Sequence, residues 1–491
     1  MATTTTQVIR ASDREFRRWF GVTIVLSVII GVIAYATAPE SISLALLVLV
    51  SLCIASVASP AFGVHAIIFF SLVGDGTTMS WYPFVKNLSS RESIFFVADS
   101  LSITPLEVVL GLTWFIAVLR LVFDPATRLR RGHLNMTMTV LLVLVAIGFV
   151  RGIGSGGDFA VATVEVRPLL YLPALYLLMS VVFTRRKQYR FAFGVALVAI
   201  SIQSIGSLVY YRALPAVERE LLESLTDHPA SVQINVLMVC LAGLVLFGAP
   251  RWQRGALIVL LIPATASYLL SQRRAAMVAL FVGLIVLLIA LYYRRRRRFW
   301  LIAPTAVVLG LVFLAATWNN AGPLGLPATA VKSAFFTDQL SSTDRNSSMY
   351  RDLEAFNLWV TIRSSPLLGY GFGQPFIVAV PMPDISRFFD QWQYFPHNSV
   401  LWVWIKTGYF GFCTMLYLFA RALQYGARSI MRAATSTDLT IVVTATAYIM
   451  MFIVFAYVDI GWDIRPAVLL ALCLAIAVDF LDLPDDRKVA R

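Results

Sequence analysis

Long apolar runs follow one another along this 491-residue chain and constrain its fold more than any other feature. A helix needs about 20 apolar residues to cross the hydrocarbon core of a bilayer. Fourteen runs approach that length, although the third is short, and they predict about 12 to 14 membrane-spanning helices. Their approximate boundaries are 19–38, 41–57, 61–74, 105–123, 134–150, 166–183, 191–210, 231–249, 255–271, 275–293, 299–317, 397–420, 438–457 and 465–481.

The composition supports the same class of protein. Hydrophobic residues make up 59% of the chain and charged residues 14%, whereas soluble domains are about half apolar and a quarter charged. This excludes a soluble enzyme and a disordered protein, and it predicts an all-α polytopic membrane protein. The four cysteines lie in apolar runs, and their spacing matches no zinc or disulfide framework.

Positive charge is unevenly divided between alternate loops. With a cytoplasmic N-terminus, the inner loops contain 25 of the 40 Lys and Arg residues and 8 of the 27 Asp and Glu residues. Such an excess is typical of cytoplasmic loops, so both termini are predicted to be cytoplasmic. The net charge of +13 then reflects topology rather than a nucleic-acid partner. The arginine run 294–298 is a topology anchor, with membrane lipids as its contacts.

One outer loop, 318–396, is much longer than the others, and long loops on a rigid scaffold commonly carry function. The predicted organisation is a cytoplasmic segment 1–18, a transmembrane bundle 19–317, an extracytoplasmic catalytic loop 318–396, C-terminal transmembrane helices 397–481 and a cytoplasmic tail 482–491.

Two features stand out within this loop. Residues 350–364 have helical periodicity and predict an amphipathic helix along the outer membrane interface. Its apolar face is formed by Leu353, Phe356, Trp359 or Val360, and Ile362. The sequence 367–373 (LLGYGFG) lacks the third glycine of a dinucleotide loop and predicts a glycine turn at the membrane rim.

Arginines and a histidine mark the predicted outer side. Arg273 and Arg274 form a tight turn between two apolar spans, on the side where arginine is disfavoured. Guanidinium groups are always charged and bind phosphate in a fork, so this turn predicts an anion site that Arg351 of the loop helix can approach. Pro396 is placed in the first turn of the next span, with His397 at its outer mouth. Arginines and a histidine grouped on the outer side of a membrane protein suggest chemistry on a lipid-linked phosphate.

Three stretches resemble the motifs of the O-antigen ligase and O-antigen polymerase superfamily. They are 271–280 (SQRRAAMVAL), 351–373 (ending SPLLGYGFG) and 397–411 (HNSVLWVWIKTGYFG). The stretch 165–168 (EVRP) and the segment at Asp459 are also similar to that family. The resemblance covers about residues 260–415.

The resemblance implies a metal-independent, inverting glycosyltransferase without a cofactor, located in the bacterial cytoplasmic membrane with its active site outside the cytoplasm. The donor would be a glycan on undecaprenyl diphosphate. The acceptor would be a sugar on a lipid-linked repeat unit for a polymerase, or on the lipid A core for a ligase, and this choice stays open. A chain-length regulator is a further implied partner.

The same resemblance assigns roles to residues. His397 would be the general base, a role that suits a side chain titrating near neutral pH. Arg274 and Arg351 would hold the diphosphate and stabilise the charge that develops on it. Two arginines stand where the family has one, so the choice between Arg273 and Arg274 stays open. The residues implied in substrate binding are Arg273, Arg167, Asn398, Tyr370 and Gly371.

Two other functions remain alternatives. A metal-dependent transferase with a polyprenyl monophosphate donor would use acidic residues of the first outer loop, where Asp75, Asp99 and Glu107 lie. Glu107 also fits a packed, paired carboxyl. A lipid-linked oligosaccharide flippase would need charges along a path through the midplane, and it would tolerate the loss of His397.

Overall fold

The protein is a bundle of α-helices, seen in a computed structural model that describes residues 40–485 except 76, 77, 80, 81, 92, 94, 97–100, 126, 128, 131, 223, 321 and 388. No strand occurs in this part of the chain. Its helices are α1 (Glu40–Ala58), α2 (Pro60–Val73), α3 (Pro105–Phe123), α4 (Asn135–Gly154), α5 (Phe159–Val182), α6 (Arg186–Ala213), α7 (Ala216–Leu221), α8 (Ala230–Leu246), α9 (Arg251–Ser271), α10 (Arg274–Arg294), α11 (Arg296–Ala316), α12 (Leu326–Phe335), α13 (Ser342–Ser364), α14 (Ser399–Arg432), α15 (Ser436–Val458) and α16 (Ile464–Asp479).

The predicted spans correspond to these helices. Thirteen of the fourteen fall within the described residues, and each overlaps one helix. The largest difference is at the end of α14, which runs to Arg432, twelve residues beyond the predicted end at 420. Nine described helices are long and apolar enough to cross a membrane. The all-α, polytopic membrane fold is therefore confirmed. The predicted segment 1–18, the first span 19–38 and Asp99 lie outside the described residues.

The centre of the bundle is formed by α15 and α16, which pack on each other and on α14. Helix α16 is buried along its whole length, whereas α11 is exposed along nearly all of its length. Small residues allow close packing where helices cross: Gly243 lies against Thr440 of α15, and Gly426 lies against Thr446. Such contacts are typical of membrane helices, because lipid provides little hydrophobic force between them.

The two ends of the bundle differ in their charged contacts. At one end, here called the basic end, ion pairs join Arg190 to Asp438 (2.8 Å) and Arg130 to Asp479 (3.5 Å). At the other, here called the site end, contacts join the loops 213–230, 271–274, 316–399 and 458–464. Every second loop along the chain therefore lies at the same end of the bundle, as the charge pattern predicts. The side of the membrane that each end faces stays a prediction.

Helix α14 begins later than predicted and is broken once. Asn398 is its N-cap, and the side-chain Oδ1 of Asn398 accepts the N–H of Leu401 at 3.0 Å. The predicted position of Pro396 in the first helical turn is therefore wrong, because the cap lies two residues further on. Gly408 adopts φ 70° and ψ −175° inside the helix, and a Cβ there would overlap the backbone of Leu367.

Helix α13 is confirmed, but it turns an unexpected face towards the protein. Phe356 and Trp359, from the predicted apolar face, are about half exposed. The buried side chains are Glu354, Asn357, Leu358, Thr361 and Ile362. The polar members of this face have partners in the loop beyond: Asn357 Oδ1 accepts the N–H of Val380 at 2.8 Å. Placement of the exposed aromatic face along the membrane interface stays a prediction.

Candidate functional site

His397 is held by a buried carboxylate of α13. The backbone N–H of His397 donates to Glu354 Oε2 at 2.8 Å, and the ring Nδ1 lies 3.2 Å from Glu354 Oε1. Glu354 is only 1% exposed. A proton on Nδ1 that is donated to Glu354 leaves the lone pair of His397 on Nε2. This arrangement orients the ring and suits the tautomer that has its proton on Nδ1.

A second histidine and carboxylate stand next to the first pair. His228, in the loop before α8, places its Nδ1 2.6 Å from Oδ1 of Asp459, in the loop after α15. Asp459 is fully buried and also accepts the backbone N–H of Ile460 at 2.8 Å. The ring centroids of His228 and His397 are 6.1 Å apart, with an edge-to-face angle of 72°. The two pairs therefore form one cluster.

Two of the predicted arginines join this cluster. Arg273 Nη1 lies 3.3 Å from His228 Nδ1, and Arg273 Nη2 donates to the carbonyl of Thr226. Arg351 lies close enough to Asp459 for its charge to act on that carboxyl. Within the described residues, Arg351 Nε is buried and makes no hydrogen bond. The cluster thus has one guanidinium group beside His228 and a second whose charge acts on Asp459.

The charge state of Asp459 follows from these neighbours. Burial raises the pKa of Asp459, but His228, together with Arg351 and His397, outweighs burial and holds that pKa below its ordinary value. Because the shift is downwards, Asp459 stays ionised at neutral pH. Asp459 is therefore an acceptor for the groups around it and not a proton donor.

Tyr350 borders His397 on another side, with ring centroids 5.8 Å apart. Burial, together with Glu354 and Asp384, raises the pKa of the Tyr350 hydroxyl. The hydroxyl thus stays protonated at neutral pH. Tyr350 therefore makes an edge-to-face ring contact with His397 and adds no charge to the cluster.

The turn that carries the paired arginines has an unusual backbone. Gln272 ends α9 in the left-handed region (φ 47°), which is costly for a residue with a side chain. Arg273 is the N-cap of α10 and Arg274 is its first residue. The chain therefore reverses within three residues, and both arginines lie at the positive end of a helix dipole.

The other residues implied in substrate binding make their contacts elsewhere. Arg167 pairs with Glu107 at 2.8 Å and donates to Asn87 Oδ1 at 2.7 Å. Asn398 caps α14 directly after His397. Tyr370 donates its N–H to the carbonyl of Ile405 at 2.6 Å.

Gly371 is buried in the glycine turn, where a Cβ would lie 2.5 Å from backbone atoms of Gly152. The glycine turn packs against backbone atoms of α4, so its contacts are with the helix bundle. Gly369, Gly371 and Gly373 all have positive φ, which glycine adopts at low cost. A substrate role for Tyr370 and Gly371 stays a prediction.

We expect Gly152→Ala to lower the free energy of unfolding by about 3 kcal/mol, because its Cβ would overlap the backbone of Phe372, which has little room to move. The matched control is Gly154→Ala, two residues along α4, where a Cβ meets nothing within 4 Å. Thermal unfolding of both variants in detergent checks this. Equal melting temperatures for the two variants would contradict the packing of the glycine turn.

The acidic residues of the alternative metal-dependent function have protein partners. Asp75 Oδ1 accepts the N–H of Thr78 at 2.8 Å, and its Oδ2 lies 3.6 Å from Arg465. Glu107 forms the capping box of α3 and the ion pair with Arg167, as a packed, paired carboxyl should. Asp99 lies outside the described residues.

Sequence reasoning missed three members of the cluster as site residues: Glu354, His228 and Asp459. Glu354 follows Arg351 by three residues and so shares its helix face, which is a usable signal. His228 and Asp459 are 231 residues apart, and nothing in the sequence links them. The segment at Asp459 is similar to the family in sequence, but the sequence assigns this carboxyl no role in the site.

The fold and this cluster define a class, a multi-pass membrane protein that gathers histidines, buried carboxylates and arginines at one end of its bundle. Residues 256–416 match a family model described as O-antigen ligase. A stretch of 98 residues is 26% identical to an O-antigen ligase of Salmonella typhimurium, covering 19% of this chain and 24% of that protein. The matched stretch thus spans about a quarter of that relative.

Both matches confirm the resemblance to the O-antigen ligase superfamily. The matched segment includes Arg273 in the turn before α10, Arg351 on α13 and His397 just before α14.

Proposed function

We propose that this protein transfers a glycan from undecaprenyl diphosphate to a sugar hydroxyl at the outer face of the bacterial inner membrane. The observation that carries the proposal is the grouping of His397 and its buried partner Glu354 with Arg273 and Arg351. All four lie in the segment similar to O-antigen ligase. A lipid-linked glycan and a sugar acceptor are the substrates that this similarity implies.

The proposed chemistry begins at His397. Its Nε2 takes the proton of the acceptor hydroxyl, while Glu354 on Nδ1 stabilises the imidazolium that forms. The hydroxyl oxygen attacks the anomeric carbon in line with the bond to the diphosphate, and the configuration inverts. The electron pair of the broken bond passes to a diphosphate oxygen.

The arginines are suited to hold that diphosphate. Two cationic side chains at the N-terminus of α10 are opposed by the helix dipole, and a bound anion relieves this repulsion. The guanidinium of Arg351 brings positive charge to the same cluster from α13. Donors fixed before the reaction stabilise the charge that develops on the leaving group. Arg274 would share this role with Arg273.

We expect transfer to continue in the presence of a chelator. Diphosphate is already a good leaving group, and arginines can supply the positive charge that a metal would supply. Assaying membranes with and without excess EDTA should give the same rate, within about twofold. Loss of activity with EDTA that Mg²⁺ or Mn²⁺ restores would favour the metal-dependent transferase instead.

A host-cell polysaccharide profile tests the proposed function. A deletion strain is complemented with wild type, His397→Ala or Arg274→Ala at matched protein levels, and its glycans are separated on a gel. Glycan stranded on undecaprenyl diphosphate in the His397→Ala strain supports the transferase. Short stranded glycan indicates a polymerase, and long stranded glycan indicates a ligase.

The flippase alternative gives a different profile. A flippase moves its substrate without breaking a bond, so it has no need for a general base. Wild-type polymer in the His397→Ala strain would favour that alternative.

A further inference from the structure

We propose that a groove at the basic end of the bundle binds the headgroup of an anionic phospholipid. The groove lies between the last turns of α14, the loop before α4 and the residues after α16, and it forms a cavity of about 590 Å³. Ligand sites commonly have volumes of about 300–1,000 Å³. The groove is at the opposite end of the bundle from the candidate site, so this proposal does not depend on the proposed function.

Helix α14 extends beyond the apolar span that the sequence predicts for it. The predicted span ends at residue 420, whereas the helix ends at Arg432. At a rise of about 1.5 Å per residue, residues 421–432 add about 18 Å to the helix. A helix that continues past an apolar segment long enough to cross the hydrocarbon core enters the headgroup region. We therefore place these last turns of α14 at the level of the lipid phosphates.

One face of this extension is basic and aromatic. It is formed by Arg421, Tyr425, Arg428 and Arg432. Residues spaced by three or four positions lie on the same side of a helix. The guanidinium carbons of Arg421 and Arg428 lie 4.7 Å and 5.5 Å from the ring centroid of Tyr425. The opposite face packs into the bundle, where Gly426 lies against α15. Basic residues and tyrosine are typical of a helix surface at the membrane interface.

The groove contains more arginine than carboxylate. Asp482 is the one acidic residue that lines the groove in the part of the chain that the structure describes. Its Oδ1 accepts a hydrogen bond from Arg432 Nη2 at 2.8 Å, and its Oδ2 lies 3.2 Å from His133. Arg428 is exposed and rests on the ring of Tyr425. Guanidinium binds phosphate in a fork, so a headgroup with a net negative charge would balance the excess.

Apolar side chains beside the arginines favour a lipid over a soluble anion. Met431 and Val478 line the groove, and Met431 is about half exposed. Met136, in the first turn of α4, is largely exposed. At the boundary between headgroups and acyl chains, such side chains contact the apolar part of a lipid. Basic pockets between membrane helices are suited to anionic headgroups. The groove therefore offers contacts for both parts of a phospholipid.

Lipid binding to the purified full chain tests this proposal. Protein in a neutral detergent is titrated with dioleoyl phosphatidylglycerol or with dioleoyl phosphatidylcholine, and native mass spectrometry counts the bound lipid. We expect the anionic lipid to bind about tenfold more tightly than the zwitterionic one, and Arg428→Gln to weaken phosphatidylglycerol binding about fivefold. Equal affinities for the two lipids would overturn the proposal.

The matched control is Arg297→Gln, which removes the same charge outside the groove. Arg297 is exposed and lies at the basic end, three residues after Arg294, which donates to the carbonyl of Ala433 at 2.6 Å. This variant should bind phosphatidylglycerol within about twofold of wild type. Equal losses of affinity in Arg297→Gln and Arg428→Gln would indicate a general attraction to the basic end, and this result would also overturn the proposal.

A further variant should change the affinity in the opposite direction. Asp482→Asn removes the carboxylate of the groove and leaves Arg432 available to the headgroup. We expect this variant to bind phosphatidylglycerol about fivefold more tightly than wild type. Unchanged or weaker binding by folded Asp482→Asn protein would overturn the proposal.

Inorganic phosphate, added to the same titration, distinguishes a soluble anion from a lipid. We expect phosphate at the concentration of the lipid to leave phosphatidylglycerol bound, because phosphate makes no apolar contacts. Displacement of the lipid by phosphate at equal concentration would overturn the assignment to a phospholipid.

Discussion

Replacing His397 with alanine is expected to lower the initial rate of glycan transfer by about 10²- to 10⁴-fold, the usual contribution of a positioned general base. The alanine variant has no group to take the proton of the acceptor hydroxyl. The measurement is transfer from extracted lipid-linked glycan in membranes of a deletion strain, at equal protein levels. Binding of the donor should change little, so the loss should appear mainly in kcat.

Two variants make this result specific. His133→Ala removes a histidine from the basic end, where His133 stacks on Tyr425, and should leave the rate unchanged. Glu354→Gln keeps the shape of the partner of His397 but removes its charge, and should cost less than His397→Ala does. A His397→Ala rate within about threefold of wild type would mean that another group is the base.

The second large effect concerns a buried ion pair between α14 and α5. Lys406 of α14 and Glu165 of α5 approach to 2.6 Å, and both side chains are almost fully buried. Lys406 Nζ also donates to the carbonyl of Gln374, and Glu165 Oε2 accepts the N–H of Gly373. The pair therefore joins the glycine turn to two helices of the bundle.

Lys406→Met should lower the free energy of unfolding by about 3–5 kcal/mol, because it leaves Glu165 as a buried charge without its counter-ion. The double variant Lys406→Met with Glu165→Gln should recover most of that loss, since no uncompensated charge remains. Unfolding in detergent, followed by intrinsic fluorescence, measures both. The matched control is Lys187→Met, because Lys187 is an exposed lysine and its loss leaves no buried charge. A double variant as unstable as the single one would show that the pair itself, and not the stranded charge, provides the stability.

The helices were predictable because apolar length is a local property of the sequence. All thirteen predicted spans within the described residues are helices, including α2 at Pro60–Val73, the shortest of them. The errors concern where a helix begins and which of its faces is buried. Pro396 was placed in a helical turn that begins only after Asn398, because a side-chain cap outweighs the apolar pattern. Helix α13 buries Asn357, since three backbone hydrogen bonds to residues 379 and 380 satisfy its amide.

The candidate site was predictable only in part, because its residues come together from loops distant in sequence. His397, Arg273 and Arg351 were singled out by position and charge, and the structure brings them into one cluster. Their partners Asp459 and His228 required the folded bundle. Arg167 is implied in substrate binding by the resemblance, and the structure pairs it with Glu107; its role in binding stays a prediction. A charge at the end of a span therefore does not by itself distinguish a binding residue from a structural one.

Mass spectrometry of a reaction with purified protein tests the central claim most directly. The protein, in lipid nanodiscs, is mixed with undecaprenyl-diphosphate-linked glycan and a sugar acceptor, and all lipid and glycan products are identified. We expect the glycan to become covalently linked to the acceptor, and one undecaprenyl diphosphate to be released for each bond formed. NMR spectroscopy of the product should show the inverted anomeric configuration. Intact donor with no new glycosidic bond, under conditions where the protein is folded, would contradict the account.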